Sequence, residues 1–354
     1  MKILLVTAAA DWSTKDVADG YEAAFTDLGH ELKVFRLNSR MQFMSGALQG
    51  WAEATNQELT LDKVIKETCD WILIDAAYFQ PDITFVVSAM AFHPNALAML
   101  RRHGYKTALA FTECPYNDNE HTAIAHLADY IFCNDLYSAG SLKDANPQSF
   151  YLPTAYNQRT HFPQEPLDSA DVIFVGTGFG ERLAMLEAVD WTGIDLQLFG
   201  FFGGEGPVDQ PVGATSLVIT GDPIPNAEAI RRYAGSKVCL NFYRAGAGFS
   251  LNPRAYELAA VGAFQLAQDS VPEAHSLFGD SIAYFDDAES LGRQVRYWLA
   301  PENDERRRNM AEEAMRLVQG QSYQARAEMA LTIIEREAVL NGTKIALLTD
   351  GVAG

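Results

Sequence analysis

The sequence predicts two consecutive α/β domains, each a doubly wound parallel sheet. Three observations carry this. Short, continuously apolar runs alternate with segments of helical spacing along most of the chain, and such runs suit strands buried on both faces. The alternation stops at a polar stretch, 153–166, with prolines at 153, 163 and 166, and then restarts. The length, 354 residues, fits two to three domains at ~150 residues each.

Taken in order, Ile3–Thr7 is the first strand. Lys15–Leu28 has apolar residues at helical spacing (Val17, Tyr21, Ala24, Phe25, Leu28) and ends at Gly29, a residue suited to a C-terminal cap. Glu31–Leu37 reads as a second strand, followed by a helical region to about Cys69. The run Trp71–Ala76 predicts the third strand. Asn95–His103 is helical, with Gly104 behind it. Thr107–Thr112, Tyr130–Cys133 and Ser149–Leu152 follow as strands with helices between them. Right-handed crossovers make such a set Rossmann-like. The 153–166 stretch reads as an inter-domain linker.

Beyond it, strands are predicted at Asp171–Val175, Asp195–Phe199, Lys237–Phe242, Phe264–Ala267 and Ser281–Phe285. Helices fall at Glu181–Val189, Asn226–Tyr233 and Asn252–Val261. Three more run from Glu289 to about Leu340, the last long enough to cross back to the first domain. Domain bounds of 1–160 and 167–335 follow, with a tail at 336–354 holding a strand-like Lys344–Leu348. A cleft between the two domains is expected.

Composition narrows the function classes. Hydrophobic residues are 48% and charged residues 21%, which suffices for real cores. The net charge of −19 repels nucleic acid and anionic membrane on average. No stretch approaches the ~20 apolar residues of a membrane span. The N-terminal apolar run is too short for a signal peptide and reaches Asp11 at once. Cys69, Cys114, Cys133 and Cys239 are scattered without a CxxC pair. A reduced cytoplasmic protein lacking disulfides and structural zinc is therefore expected. Arg306–Arg308, behind three acids at a helix start, reads as a solvated face. His93, ahead of Pro94, reads as a cap.

Ligands of open parallel sheets bind beyond the carboxyl ends of the strands, which directs attention to two loops. Gly176-x-Gly178-x-Gly180, then Glu181 and Arg182, follows a strand and opens a helix. Glycines permit close backbone approach and a helix N-terminus favours an anion, although the spacing is not GxGxxG. The second loop, Tyr243–Glu257, is richer. Gly246 and Gly248 make it permissive, Arg244 adds a cation, Ser250 or Asn252 can cap, and Pro253 suits the first helical turn. Arg254 and Glu257 stand at i and i+3, on one helix face. A surface ion pair is one outcome of that spacing. The other places the guanidinium on a diphosphate and the carboxylate on ribose hydroxyls.

Here the sequence resembles a known family. Leu251–Leu266 (LNPRAYELAAVGAFQL) and Asp269–Glu273 (DSVPE) look like the donor-site signature of CgeB-like glycosyltransferases. Asp171–Arg182 (DVIFVGTGFGER), Tyr151–Ala155 (YLPTA) and Phe111–Tyr116 (FTECPY) agree with it. The resemblance implies a GT-B fold, with a nucleoside-diphosphate sugar held mainly by the second domain and an acceptor facing the first. It also implies a nucleobase contact at Ile219–Pro223, including Gly221. One departure stands out. The E-x7-E carboxylate pair of the wider superfamily is broken, because Glu257 matches its second member but Phe249 takes the place of the first.

The donor set expected from both lines is Gly176, Gly178, Arg182, Gly221, Arg244, Gly246, Gly248, Asn252, Arg254 and Glu257. Glu113 and Asp11, each placed just after a first-domain strand, are the candidate bases for the acceptor hydroxyl. No D-x-D occurs, so metal-independent transfer is expected, the arginines and helix dipole meeting the leaving-group charge. The nucleotide-sugar is then a substrate and no cofactor is implied. The acceptor is left open among a glycan, a protein, a small molecule and a hydroxymethylated DNA base. A nucleotide-sugar epimerase and a non-catalytic binding protein stand as rivals.

Overall fold

The computed structural model describes residues 1–9, 13–202 and 224–350. The chain divides into two units, Met1–Pro153 with Tyr323–Gly354, and Thr154–Ser322.

In the first unit, β1 (Lys2–Val6), β2 (Glu31–Phe35), β3 (Ile83–Val87), β4 (Thr107–Phe111), β5 (Tyr130–Cys133) and β6 (Ser149–Tyr151) form one sheet. All of its pairings are parallel, in the order β2-β1-β3-β4-β5-β6. Side chains alternate across it. Leu4, Val6, Val86, Leu109, Phe111 and Ile131 enter one core. On the other face Phe85 packs at 5.0 Å from Tyr21, 5.2 Å from Phe25 and 6.1 Å from Phe132. The helices are α1 (Ser13–Asp27), α2 (Leu37–Thr55), α3 (Leu61–Phe79), α4 (Pro94–Arg102), α5 (Asp118–Ala125) and α6 (Leu136–Ser141). His93 caps α4, accepting from Asn95 N–H at 3.2 Å.

The Trp71–Ala76 strand is a misreading. Those residues lie inside α3, capped by Thr60, whose hydroxyl accepts from Lys63 N–H. Val64, Thr68, Cys69, Ile72 and Ala76 are buried, a period near 3.6, whereas Trp71 and Ile74 point outward. The third strand is the fully buried Ile83–Val87, held between β1 and β4.

The second unit repeats the pattern with β7 (Ala170–Val175), α7 (Gly180–Glu187), β8 (Leu196–Phe199), α8 (Asn226–Gly235), β9 (Ser236–Asn241), α9 (Pro253–Ala260), β10 (Gln265–Gln268), α10 (Pro272–Phe278), β11 (Ala283–Phe285), α11 (Ala288–Leu299) and α12 (Asp304–Leu317). Its parallel sheet runs β11-β10-β9-β7-β8. Counted within each unit, the strand orders are 2-1-3-4-5-6 and 2-1-3-4-5, the doubly wound pattern that reverses between the first and third strands. That switch point lies between β1 and β3 in the first unit and between β7 and β9 in the second.

The 153–166 stretch is not a free linker. From Thr154 it belongs to the second unit, where Thr154 donates to Leu251 C=O at 3.0 Å and Asn157 and His161 are buried. The last helix, α13 (Tyr323–Asp350), belongs to the first unit. A Cβ on Gly20 would stand 2.2 Å from the Tyr323 ring, so glycine there lets α13 seat on α1. α13 also runs through the strand-like Lys344–Leu348, where alanine and leucine favour a helix. The arginine run after Pro301 is only partly solvated, since Arg307 is buried and bonds Trp298 C=O and Asp304. No helix among the described residues is long and apolar enough to cross a membrane.

Candidate functional site

The switch point of the second sheet brings together the loops after β7 and β9, the two glycine-containing segments singled out above. Gly176 N–H donates to Phe199 C=O and Gly178 N–H to Phe201 C=O, both at 2.8 Å. These amides are therefore spent on the neighbouring strand end and are not free for a phosphate. The glycines serve by what they lack. A Cβ on Gly178 would fall 2.1 Å from the Phe202 ring, and one on Gly200 2.2 Å from Gly176 C=O. At Gly176 it would stand 2.8 Å from an Arg254 Nη, so the guanidinium lies directly against this glycine.

Arg254 enters from the first turn of α9. Asn252 caps that helix, its Oδ1 accepting from Ala255 N–H at 3.1 Å, and Pro253 fills the first position. The Asn252 amide also donates to Asn241 Oδ1 at 2.9 Å and Phe242 C=O at 3.1 Å, which pins the helix start to the end of β9. The Arg254 guanidinium lies over the Phe174 ring at 5.6 Å. Its Nε is buried without a hydrogen-bond partner, and it pairs with no carboxylate among the described residues. Glu257, one turn on, does not bond to it. A cation held on an aromatic face and a glycine, short of acceptors, is a ready anion site.

Glu257 has its own neighbour. Its side chain is 14% exposed and Oε1 lies 3.9 Å from His161 Nε2. Asn157 N–H donates to His161 Nδ1 at 3.2 Å, so the ring proton sits on Nε2 and faces the carboxylate. Glu273 staples the loop on the other side. It accepts from Leu251 N–H at 2.7 Å and from the Tyr256 hydroxyl at 3.4 Å, and its own N–H donates to Phe249 C=O at 3.1 Å. Sequence reasoning gave His161 no role, and Glu273 none beyond its place in the Asp269–Glu273 segment, because both act across the fold.

The other expected donor residues take supporting positions. Arg182 donates to Thr177 C=O at 2.9 Å and Phe242 C=O at 3.4 Å and lies 5.0 Å over Phe179, tying the two loops together. Arg244 is exposed, 5.6 Å above the same ring. Gly246 has φ +77°, with open space where a Cβ would stand, and lies in the turn that Ala247 N–H closes onto Arg244 C=O. Gly248 is half-buried in the same loop. Gly221 and the Ile219–Pro223 segment lie outside the described residues, as does Asp11.

In the first unit, Glu113 follows β4. Its Oε1 accepts from the Ser88 and Thr112 hydroxyls, each at 2.6 Å, and Oε2 from Thr112 N–H at 3.3 Å. Beside it lies a group that the cysteine spacing hides. His121, on α5, stacks on Phe111 at 3.9 Å and directs Nδ1 at Cys114 Sγ, 3.3 Å away. Asp118 Oδ1 is 3.9 Å from the same nitrogen, and Glu113 Oε2 is 3.8 Å from Nε2. Burial lowers His121 to about 4, so its ring is neutral at pH 7. The Cys133 thiol is 2.8 Å from Cys114 Sγ, and this contact, followed by burial, pushes the Cys114 thiol far above its ordinary value. Cys114, read as one of four scattered thiols, is thus clustered with Cys133 and His121.

Comparison with known proteins agrees with this architecture. Residues 182–332 match the family model described as glycosyl transferase-like. No curated protein matches the sequence. Among solved structures, the chain is similar to sucrose-phosphate synthase from Thermosynechococcus elongatus, at 13% identity and TM-score 0.67, covering 96% of this chain and 99% of that one. It is similar to HepE from Anabaena in complex with UDP-glucose, at 11% identity and TM-score 0.64, covering 96% and 100%. It is also similar to an α-glucosyltransferase in complex with UDP and a 13-mer DNA containing an HMU base, at 13% identity and TM-score 0.61, covering 95% and 99%. The fold is GT-B, two parallel-sheet α/β domains in one chain.

Proposed function

We propose that the protein is a glycosyltransferase of CgeB-like type, moving a sugar from a nucleoside diphosphate to an acceptor hydroxyl without a metal ion on the diphosphate. The observation that carries this reading is Arg254, a partly buried guanidinium with an unpartnered Nε, seated on Gly176 at the switch point. A diphosphate supplies the acceptors that Arg254 lacks. Glu257, held beside it with His161 behind, takes the ribose diol, since an ionised carboxylate accepts from both hydroxyls. Similarity to structures holding UDP or UDP-glucose supports a uridine nucleotide as donor.

In the transfer, the acceptor oxygen attacks the anomeric carbon as the bond from that carbon to the phosphate oxygen breaks. The electron pair leaves on the diphosphate, where Arg254, with Arg244 near the loop rim, meets the developing charge. The acceptor proton passes to a carboxylate, for which Glu113 is the first candidate and Asp11 the second. Phe249 brings no second carboxylate to the donor site. The net charge of −19 favours an acceptor other than a polyanion. Four free, buried cysteines suit a reducing compartment such as the cytoplasm.

Calorimetric titration with UDP and UDP-glucose tests the donor site. Binding that Arg254→Ala abolishes or strongly weakens is expected. Unchanged affinity in that variant would overturn the reading.

A further inference from the structure

The strongest feature outside the donor site is the buried cluster after β4. Cys114, Asp118 and His121 each offer one ligand atom, all within 4.8 Å of one another. The donors are mixed, a thiol, a carboxylate and an imidazole, the set that suits Zn²⁺ rather than Mg²⁺ or Ca²⁺. A tetrahedral zinc with its usual bond lengths sets its N, O and S ligands about 3.3–3.8 Å apart. The Cys114 Sγ to His121 Nδ1 distance is 3.3 Å and the His121 Nδ1 to Asp118 Oδ1 distance 3.9 Å. Cys133 is not one of these three, but it is the thiol next to Cys114 and the nearest further donor. Cys133 ends β5 opposite Phe111 of β4, and this register sets its sulfur 2.8 Å from Cys114 Sγ.

Independent details point the same way. Asp118 Oδ1 is buried without a hydrogen-bond partner, while Oδ2 accepts from the Ser138 hydroxyl at 2.6 Å. One oxygen of this carboxylate is thus anchored and the other left facing the cluster. The far nitrogen of His121 faces Glu113, whose own oxygens are held by Ser88 and Thr112. A carboxylate behind a ligating imidazole is the outer arrangement that metal-binding histidines usually have. Cys114 itself is fixed from behind, its N–H donating to Asn134 Oδ1 at 3.1 Å and its C=O accepting from the same side chain at 3.3 Å. The Asp118 side chain, 34% exposed, leaves a way in.

We propose that Cys114, Asp118, His121 and Cys133 bind one Zn²⁺ in a closed structural site that ties the turn after β4 to the end of β5. Binding displaces the two thiol protons to the buffer, the thiolates replacing them with bonds to zinc. The sulfurs then separate to the spacing of ligands on a shared ion. The site involves none of the donor-binding residues, so its test and that of the transferase reading fail independently.

The test uses the full chain, purified under a non-thiol reductant and without chelator. Elemental analysis is expected to find zinc equimolar with protein. Metal-free protein titrated with Co²⁺ is expected to develop tetrahedral d–d bands and a thiolate-to-cobalt charge-transfer band. Asp118→Asn should weaken Co²⁺ binding by about tenfold or more, and Cys114→Ser should remove about half of the charge-transfer intensity or more. Circular dichroism checks that both variants fold. If Cys114→Ser misfolds, the wild-type spectrum and stoichiometry decide alone. Absence of both zinc and cobalt bands in reduced wild-type protein would overturn the proposal. So would a Cys114–Cys133 disulfide in protein whose reduced form takes up no Zn²⁺, or a charge-transfer band that survives Cys114→Ser undiminished.

Discussion

The loops at the carboxyl ends of the two sheets differ, although the sheets share one strand order over their first five strands. In the second unit the loops after β7 and β9 converge on Arg254, whose Nε is buried with no acceptor. In the first, the turn after β4 folds inward, and Glu113 Oε1 accepts from Ser88 and Thr112 while Oε2 keeps capacity for a further proton. One edge presents an unmet cation, and at the other the group left unmet is a carboxylate oxygen, Asp118 Oδ1. A buried group without a partner costs free energy, which a bound ligand of opposite charge offsets. The same topology thus leaves a guanidinium unmet at one edge and a carboxylate oxygen at the other. The difference comes from a few residues per loop, not from the sheet.

The largest expected effect breaks the packing under the edge that holds Arg254. Gly200 has φ +124° and its Cβ would fall 2.2 Å from Gly176 C=O. Gly200→Ala should cost about 3 kcal/mol or more in chemical denaturation. Gly104→Ala in the first unit, at φ +82° with open space around it, should cost only about 1 kcal/mol. Equal losses would show that close loop approach is not what Gly200 provides.

Next, Arg254→Ala should weaken UDP binding by about ten- to a hundredfold, the worth of charged hydrogen bonds at ~1.5–3 kcal/mol. Arg254→Lys should recover only part of this, since a point charge lacks the planar fork. Both are read by calorimetry. A smaller effect is expected at Glu257. In wild-type protein UDP should bind several-fold better than its 2′-deoxy analogue, at ~1 kcal/mol per hydrogen bond. Glu257→Gln should shrink that ratio, and an unchanged ratio would move the ribose elsewhere. The smallest effect is a null one. Added Mn²⁺ or Mg²⁺ should leave the turnover unchanged in a donor-hydrolysis or transfer assay, and strict dependence on either would show that the arginines do not suffice.

Much of the fold was legible because parallel strands buried on both faces read as unbroken apolar runs. Ile3–Thr7, Tyr130–Cys133 and Asp171–Val175 all match strands to within a residue or two. Trp71–Ala76 failed for the same reason. Four apolar residues in a row, Trp71–Ile74, resemble a strand locally, and only the longer period from Val64 to Ala76 marks α3. The donor loops were legible as glycines and cations after strands. What stayed hidden was the use of each group. The amides of Gly176 and Gly178 are taken by carbonyls at the end of a different strand, which no local pattern records. Cys114, Asp118, His121 and Cys133 meet through a turn, a helix start and a strand register, none of which has the compact spacing of a recognisable metal motif.

The seat of α13 on α1 bears on how the chain is made. The first unit is not continuous, since its final helix is translated only after the whole second unit has emerged. Until then Gly20 fronts an open notch, and the aromatic cluster of Tyr21 and Phe25 lacks the Tyr323 ring that packs 5.2 Å from Tyr21. Ribosomal synthesis thus completes the helical cover of the amino-terminal unit last, and a nascent chain released before residue 323 leaves α1 uncovered there.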